Sequence, residues 1–257
     1  MLNKEIISKI REKREFSQLP EIDIELAYQQ FEKREATEEE KIKLTKELLR
    51  KLFSAFVSKK LLSLKDKKPE WILRKHISTE ERLPYYLEIY KRIFAGLKKA
   101  SVIDLGAGIN GFSFPFFKEN RLKIEYIAIE SVNQLNELVN FYFKKNKIAG
   151  EAIHLSLLDK ENVLKLIKGM EKPKIVFMFK VIDALEDLKR DYSKELILDI
   201  IPLVDKMVVS FATKSLGNRQ SFGARRSWIL NFIKDNFEML DEFEIGGERY
   251  VVFKKKL

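Results

Sequence analysis

The sequence predicts an α/β fold in which a parallel sheet, closed by an antiparallel C-terminal hairpin, follows a purely helical N-terminal region. Three observations carry this reading. Before about residue 75 the apolar residues recur only at helical spacing, and no strand-like run occurs. After Lys99, five short β-branched or aromatic runs alternate with longer amphipathic segments, the pattern of parallel strands covered on both faces. The final segment, FEMLDEFEIGGERYVVFKK, instead holds two strand-like runs joined at Gly246 and Gly247, which reads as a hairpin.

The expected division of the 257 residues is a helical domain over 1–75 and a sheet domain over 76–257. With 45% hydrophobic and 34% charged residues, the chain can bury a sizeable core beneath a densely charged surface. Between Glu38 and Ser58, residues Ile42, Leu48, Leu49, Leu52, Phe53 and Phe56 fall on one side of a helix. Thr37 with Glu40 forms its T-x-x-E start signal. Pro69 suits the first turn of a short helix, PEWILRK, and Tyr86, Tyr90, Ile93 and Leu97 continue at helical spacing. The five strands are SVIDLG, KIEYIAIE, GEAIHLSL, KIVFMF and KMVVSFA. Trp228, within RRSWILNF, is expected to pack its helix on the sheet.

Lysine and arginine number 49 against 39 acids, a net charge of +10 that favours polyanionic partners. From Lys51 to Lys75 eight basic residues, among them Lys59, Lys60, Lys67 and Lys68, face two acids. From Lys206 to Lys234 six, including Lys214, Arg219, Arg225 and Arg226, face none. These two stretches hold the whole excess, as phosphate-backbone binding requires, although solvated faces of a Lys-rich protein would look the same. The absence of cysteine excludes disulfides, thiolate metal sites and a cysteine nucleophile. The N-terminus lacks the unbroken apolar stretch of a signal peptide, and no uncharged apolar run reaches ~18 residues, so a cytoplasmic protein without membrane contact is expected.

The segment from Val102 to Gly108 is a strand running into a glycine turn, where backbone N–H groups can approach a ligand closely. Glu130 closes the next strand, 22 residues beyond Gly108, the spacing at which a carboxylate meets the hydroxyls of a ribose. Asp104 would set a negative charge beside a pyrophosphate, but a cationic sulfonium tolerates it. Together with the hairpin, this favours S-adenosylmethionine over a nicotinamide dinucleotide.

Four segments carry a family resemblance: HISTEERL from His76 to Leu83, VIDLGAGIN from Val102 to Asn110, FMFK from Phe177 to Lys180, and VSFATKSLGNR from Val209 to Arg219. In order and spacing they resemble the aminoglycoside-resistance 16S rRNA (guanine-N7) methyltransferases. Gly111 stands where that family usually has proline, Val181-Ile-Asp-Ala where it has Leu-Leu-Pro-Leu, and Glu130 where an aspartate is usual. None of these departures removes a needed chemical group.

The resemblance implies a Rossmann-like class I SAM-dependent methyltransferase that modifies guanine N7 in the decoding site of 16S rRNA within the 30S subunit, as a monomer and without a metal. It places the cofactor on Arg82, Asp104, Gly106, Gly108, Asn110 and Glu130, with the Arg82 guanidinium holding the methionine carboxylate bidentately. The adenine amino group would be read by Asp159, which could equally cap the helix DKENVLKLI, or by Ser156. Lys180 and Arg219 would orient the flipped base through its acceptors or a neighbouring phosphate. His76 reads as structural, and Phe222 as a stacking ring or a loop anchor. After Lys180 there is no Asp/Asn-Pro-Pro-aromatic motif of the kind that holds an exocyclic amine. Guanine N7, which offers a lone pair and no proton, needs alignment alone. Competing readings are a ribose 2′-O-methyltransferase, which would need a Lys-Asp-Lys-Glu type arrangement where Asp183 and Glu186 are nearby but occupy helix positions, and a catalytically silent RNA-binding protein.

Overall fold

The computed structural model describes residues 2–53, 67–213 and 226–256. Lys59, Lys60, Lys214, Arg219 and Arg225 lie outside the described residues, as do Phe56 and Phe222. The helical region contains α1 (Lys4–Arg11), α2 (Glu21–Glu32) and α3 (Glu38–Phe53). At the start of α3 the capping box forms: the Thr37 hydroxyl accepts the Glu40 N–H at 3.2 Å, and the Glu40 carboxylate accepts the Thr37 N–H at 3.0 Å. Pro69 opens α4 (Pro69–Leu73), where its missing N–H costs nothing.

The next helical stretch is two helices, α5 (Ile77–Arg82) and α6 (Tyr86–Ile93), because Pro84 cannot continue the hydrogen-bond ladder. A second S-x-x-E box, at Ser78 and Glu81, does not form. Helix α5 begins directly behind His76, and it is the Thr79 hydroxyl that returns to the carbonyls of Leu73 and His76.

The sheet comprises β1 (Lys99–Leu105), β2 (Lys123–Glu130), β3 (Gly150–His154), β4 (Lys174–Phe179), β5 (Lys206–Ala212), β6 (Phe237–Ile245) and β7 (Glu248–Lys255). Its order is β3-β2-β1-β4-β5-β7-β6, with β1 to β5 parallel and β7 antiparallel to both neighbours. Gly246 and Gly247 make the hairpin turn at φ 61° and 77°, a conformation that favours glycine. β3 is shorter than the sequence suggested, ending at His154 so that Leu157 and Leu158 turn toward the carboxyl edge. The chain proceeds outward in opposite directions from β1 and β4. The crevice for a ligand therefore opens above their carboxyl ends.

Helices α7 (Phe114–Glu119), α8 (Asn133–Lys145), α9 (Lys160–Gly169), α10 (Ile182–Leu188), α11 (Tyr192–Ile200) and α12 (Ser227–Asn236) cover the two faces. The Tyr90 ring lies 4.0 Å from that of Phe117 and 6.1 Å from that of Phe177, fastening α6 and α7 to β4. Gly111 is required by packing: a Cβ there would lie 2.8 Å from Val139 Cγ1 and 3.0 Å from Phe143 Cζ. Trp228 is half-buried against the core. One continuous apolar core runs from α1 and α2 into the sheet. The helical region is further seated by Gln30, whose side-chain amide donates to the Leu188 carbonyl at 2.8 Å, and by the Lys51–Asp187 ion pair.

Candidate active site

The glycine turn leaves β1 with Gly106 at φ 67° and Gly108 at φ 53°. A Cβ on Gly106 would come within 2.6 Å of Val181 Cγ2, so only glycine lets the turn pass beneath the loop after β4. The Gly108 N–H donates to Glu130 Oε2, and the Val132 N–H to Oε1, both at 2.9 Å. Glu130 is thereby clamped at the end of β2, with lone pairs on both oxygens still available.

Beneath the turn, Asp104 accepts the Asn110 side-chain amide at 2.6 Å and the Tyr126 hydroxyl, while Asn110 Oδ1 accepts the Tyr86 hydroxyl at 2.6 Å. Burial pushes the Asp104 carboxyl up to about 6, against the lowering influence of these bonds and of Arg82. Asn110 spends both ends of its amide inside this network, so it braces the cavity floor.

On the side toward the hairpin, Arg82 Nε donates to both carboxylate oxygens of Glu248, at 3.1 and 3.0 Å. The two side chains are only 4% and 1% exposed. Burial alone would raise the Glu248 carboxyl, but Arg82 and Lys180 outweigh it and hold it below the usual range. Lys180 Nζ lies 2.6 Å from Glu81 and 3.3 Å from Glu248. Lys180 is one of four non-glycine residues with positive φ among the described residues, at 56°, and its N–H is held by the Ser210 carbonyl and hydroxyl, each at 3.2 Å. Such a backbone is retained where a side chain must be aimed. His76 is buried nearby. Burial, with Arg82 and Lys180, lowers its imidazole to about 3, so it stays neutral at working pH.

The opposite wall comes from the N-terminal helices. Asp23 of α2, with Leu52 and Phe53 of α3, faces a cavity of about 890 Å³, part of it open to solvent, that is lined below by Gly106, Glu130 and Lys180. Asp23 is 2% exposed. Its Oδ1 accepts the Ser156 hydroxyl, and burial pushes its carboxyl up to about 6.

A family model described as ribosomal RNA methyltransferase (FmrO) matches residues 46–239, about three quarters of the chain. The protein belongs to this family. A 16S rRNA (guanine(1405)-N(7))-methyltransferase of Micromonospora echinospora is 27% identical over 187 residues, covering 70% of this chain and 63% of that one. One of Proteus mirabilis is 25% identical over 190 residues, covering 72% and 64%. The chain thus spans less than two thirds of the length of these curated relatives. The 16S rRNA methyltransferase RmtF, solved with S-adenosyl-L-homocysteine, superposes with a TM-score of 0.81 over 98% of both chains at 18% identity, a likeness of fold. That fold is the Rossmann-like class I methyltransferase expected from the strand order.

Within this FmrO-family chain the cavity gathers Arg82, Asp104, Gly106, Gly108, Asn110, Glu130 and Lys180. It does not gather Ser156 or Asp159. Ser156 is buried behind the wall, donating to Asp23 and accepting the Leu158 N–H at 3.0 Å. Asp159 is the N-cap of α9, accepting the Asn162 N–H at 3.3 Å and its side-chain amide at 2.8 Å. Lys67 and Lys68 are exposed beside Trp71, whose ring lies 5.7 Å from Lys67 Nζ. Arg226, by contrast, is committed to the Asp183 carboxylate and the Ala212 carbonyl. This fixes the start of α12, and a phosphate would have to compete with it. Neither Asp183 nor Glu186 is among the described residues that line the cavity.

Two site residues escaped the sequence reading, Asp23 and Glu248. Each carries a faint signal: Asp23 shares the apolar face of α2 with Ala27, and Glu248 is in phase with the inward-facing Tyr250 and Val252 of β7. Among the described residues no cluster of His, Asp and Glu is arranged to hold a metal ion, and no helix is long and apolar enough to cross a membrane.

Proposed function

We propose that the protein is a SAM-dependent methyltransferase acting on N7 of a guanine in the decoding site of 16S rRNA, as a cytoplasmic monomer engaging the 30S subunit. The observation that carries this is the convergence of Arg82, Glu130 and Lys180 on one cavity at the carboxyl edge of the sheet, in a chain of a ribosomal RNA methyltransferase family.

The residues present fit the cofactor. Arg82, already oriented by Glu248, holds the methionine carboxylate, and Glu130, fixed by two backbone N–H groups, takes the ribose hydroxyls. The carboxylates of Asp23, Asp104 and Glu130 favour a cationic ligand. When bound, S-adenosylmethionine supplies an electrophilic methyl group on a sulfonium.

The chain's remaining task is to bring a nucleophile into line. N7 carries a free lone pair, so no proton has to be removed, and the neutral, buried His76 fits a site that needs no base. Lys180, at the edge of β4, orients the guanine through its acceptors or an adjacent phosphate, assisted by Arg219. Lys67 and Lys68, with Lys59, Lys60, Lys214 and Arg225, grip the rRNA backbone.

Incubation of purified 30S subunits with the protein and methyl-labelled SAM tests this reading. Label is expected in 16S rRNA. Tight SAM binding without label in 16S rRNA overturns it.

A further inference from the structure

Asp23 presents an unusual combination for a helix of the N-terminal region. Its carboxylate is 2% exposed, it lines the cavity, and its Oδ2 is buried with no hydrogen-bond partner among the described residues. A buried carboxylate oxygen without a donor is costly, and the cost is retained where a ligand supplies the donor. Oδ1 is pinned by the Ser156 hydroxyl, which in turn is held by the Leu158 N–H at 3.0 Å. Ser156 thereby fixes the carboxylate of a residue that lines the cavity.

We propose that Asp23 of α2 reads the adenine amino group of S-adenosylmethionine, accepting its N–H at the unpartnered Oδ2 beside Ser131 and Ser156. This inference rests on the cofactor reading above and adds a binding residue from outside the sheet domain.

The topology assigns the contact to the adenine end. Arg82, the carboxylate holder, is anchored to β7, and Glu130, the ribose holder, ends β2. In the strand order β3-β2-β1-β4-β5-β7-β6, a ligand running from Arg82 through Glu130 must place its far end toward β3. Asp23 sits there, hydrogen-bonded to Ser156 in the loop after β3 and beside Ser131 after β2, whose hydroxyl acts with that of Ser156 to lower the carboxyl against the effect of burial. Leu157 and Leu158 line the same end and offer an apolar surface to a flat purine.

The two positions from which the sheet domain itself would read the amine are both occupied, Ser156 by Asp23 and Asp159 by its helix cap. Asp23 and Glu130 are moreover two carboxylates at one end of the cavity, each buried, and the Asp23 charge adds to the burial that raises Glu130. Hydrogen-bond donors on a nucleoside relieve both. Because α2 belongs to the helical region, the contact would also make cofactor binding tighten that region onto the sheet.

Calorimetric titration of the full chain with two ligands tests this: S-adenosylhomocysteine, and its analogue carrying hydrogen in place of the adenine amino group. Wild type is expected to bind the first about 10- to 100-fold more tightly, the discrimination of a charge-assisted hydrogen bond. In Asp23→Asn and Asp23→Ala the preference should collapse toward unity, while Asp159→Ala keeps the wild-type preference. Circular dichroism establishes that each variant is folded. Variants that keep the wild-type preference, or that lose both ligands in equal proportion, overturn the proposal and leave Asp23 a purely structural acid. Wild type that binds neither ligand overturns the cofactor reading itself, an outcome distinct from failure of the Asp23 contact.

Discussion

Arg82 and Glu248, 166 positions apart in the chain, meet as a buried ion pair in which one guanidinium nitrogen serves both carboxylate oxygens. The pair joins α5 to the first residue of β7. Glu248 also accepts the Ser210 hydroxyl and faces Lys180 at 3.3 Å. One acid therefore orients both the expected cofactor-binding arginine and the expected base-orienting lysine.

Removing Glu248 is expected to cost more than removing an exposed ion pair. Glu248→Ala leaves the Arg82 charge buried and unpaired, a loss of about 3–5 kcal/mol in chemical unfolding. Arg82→Ala should behave similarly, so it cannot isolate cofactor binding. Arg82→Lys keeps a charge beside Glu248 but lacks the planar fork, and it should weaken S-adenosylmethionine binding in calorimetry by about 1.5–3 kcal/mol while remaining folded. Unchanged affinity in Arg82→Lys would remove Arg82 from the cofactor site.

Asp23 should impose a pH dependence on the ligand-free protein. Its carboxyl is raised from the ordinary 3.8 to about 6 by burial, so between those values the folded chain binds more protons than the unfolded one. Stability from this group is therefore highest below about pH 4 and falls as pH rises to about 6, by at most about 3 kcal/mol. Asp23→Asn, which does not titrate, should gain on wild type across that window in chemical unfolding followed at pH 4 and pH 7. A constant difference between the two proteins would show that Asp23 titrates normally.

Lys67 and Lys68 are exposed, and their reversal to glutamate should weaken 30S binding and flatten its salt dependence. Each lost phosphate contact removes roughly 0.7–0.9 from the log–log slope. A filter-binding series with an unaltered slope would mark these lysines as merely solvated.

The parts of the site legible in the sequence are those whose chemistry is local. The glycine turn and Glu130 lie on adjacent strand ends, and their spacing is set by one βαβ unit, so the clamp between Gly108 and Glu130 follows from the chain itself. The Thr37–Glu40 box and the Gly246–Gly247 turn are legible for the same reason. What could not be read depends on distant packing. Glu248 acquires its role only when β7 inserts beside β5, and Asp23 only when α2 settles against the loop after β3. The choice between Ser156 and Asp159 is of this kind: each is a sound local reading, and the sequence does not show that Ser156 meets Asp23 from 133 residues away or that Asp159 caps α9. Charge clustering counts Arg226 as a cation without seeing Asp183 opposite.

The most direct test is the position of the methyl group. After incubation of 30S subunits with the protein and SAM, reduction followed by aniline should cut 16S rRNA at a single guanine, because N7-methylguanosine carries a fixed charge and a labile glycosidic bond. Lys180→Ala and Arg219→Ala should diminish that cut far more than they diminish SAM binding, as befits groups that orient the base and not the cofactor. Methyl label on a ribose oxygen or an exocyclic amine, with no aniline cleavage, would contradict N7 methylation while leaving cofactor binding intact.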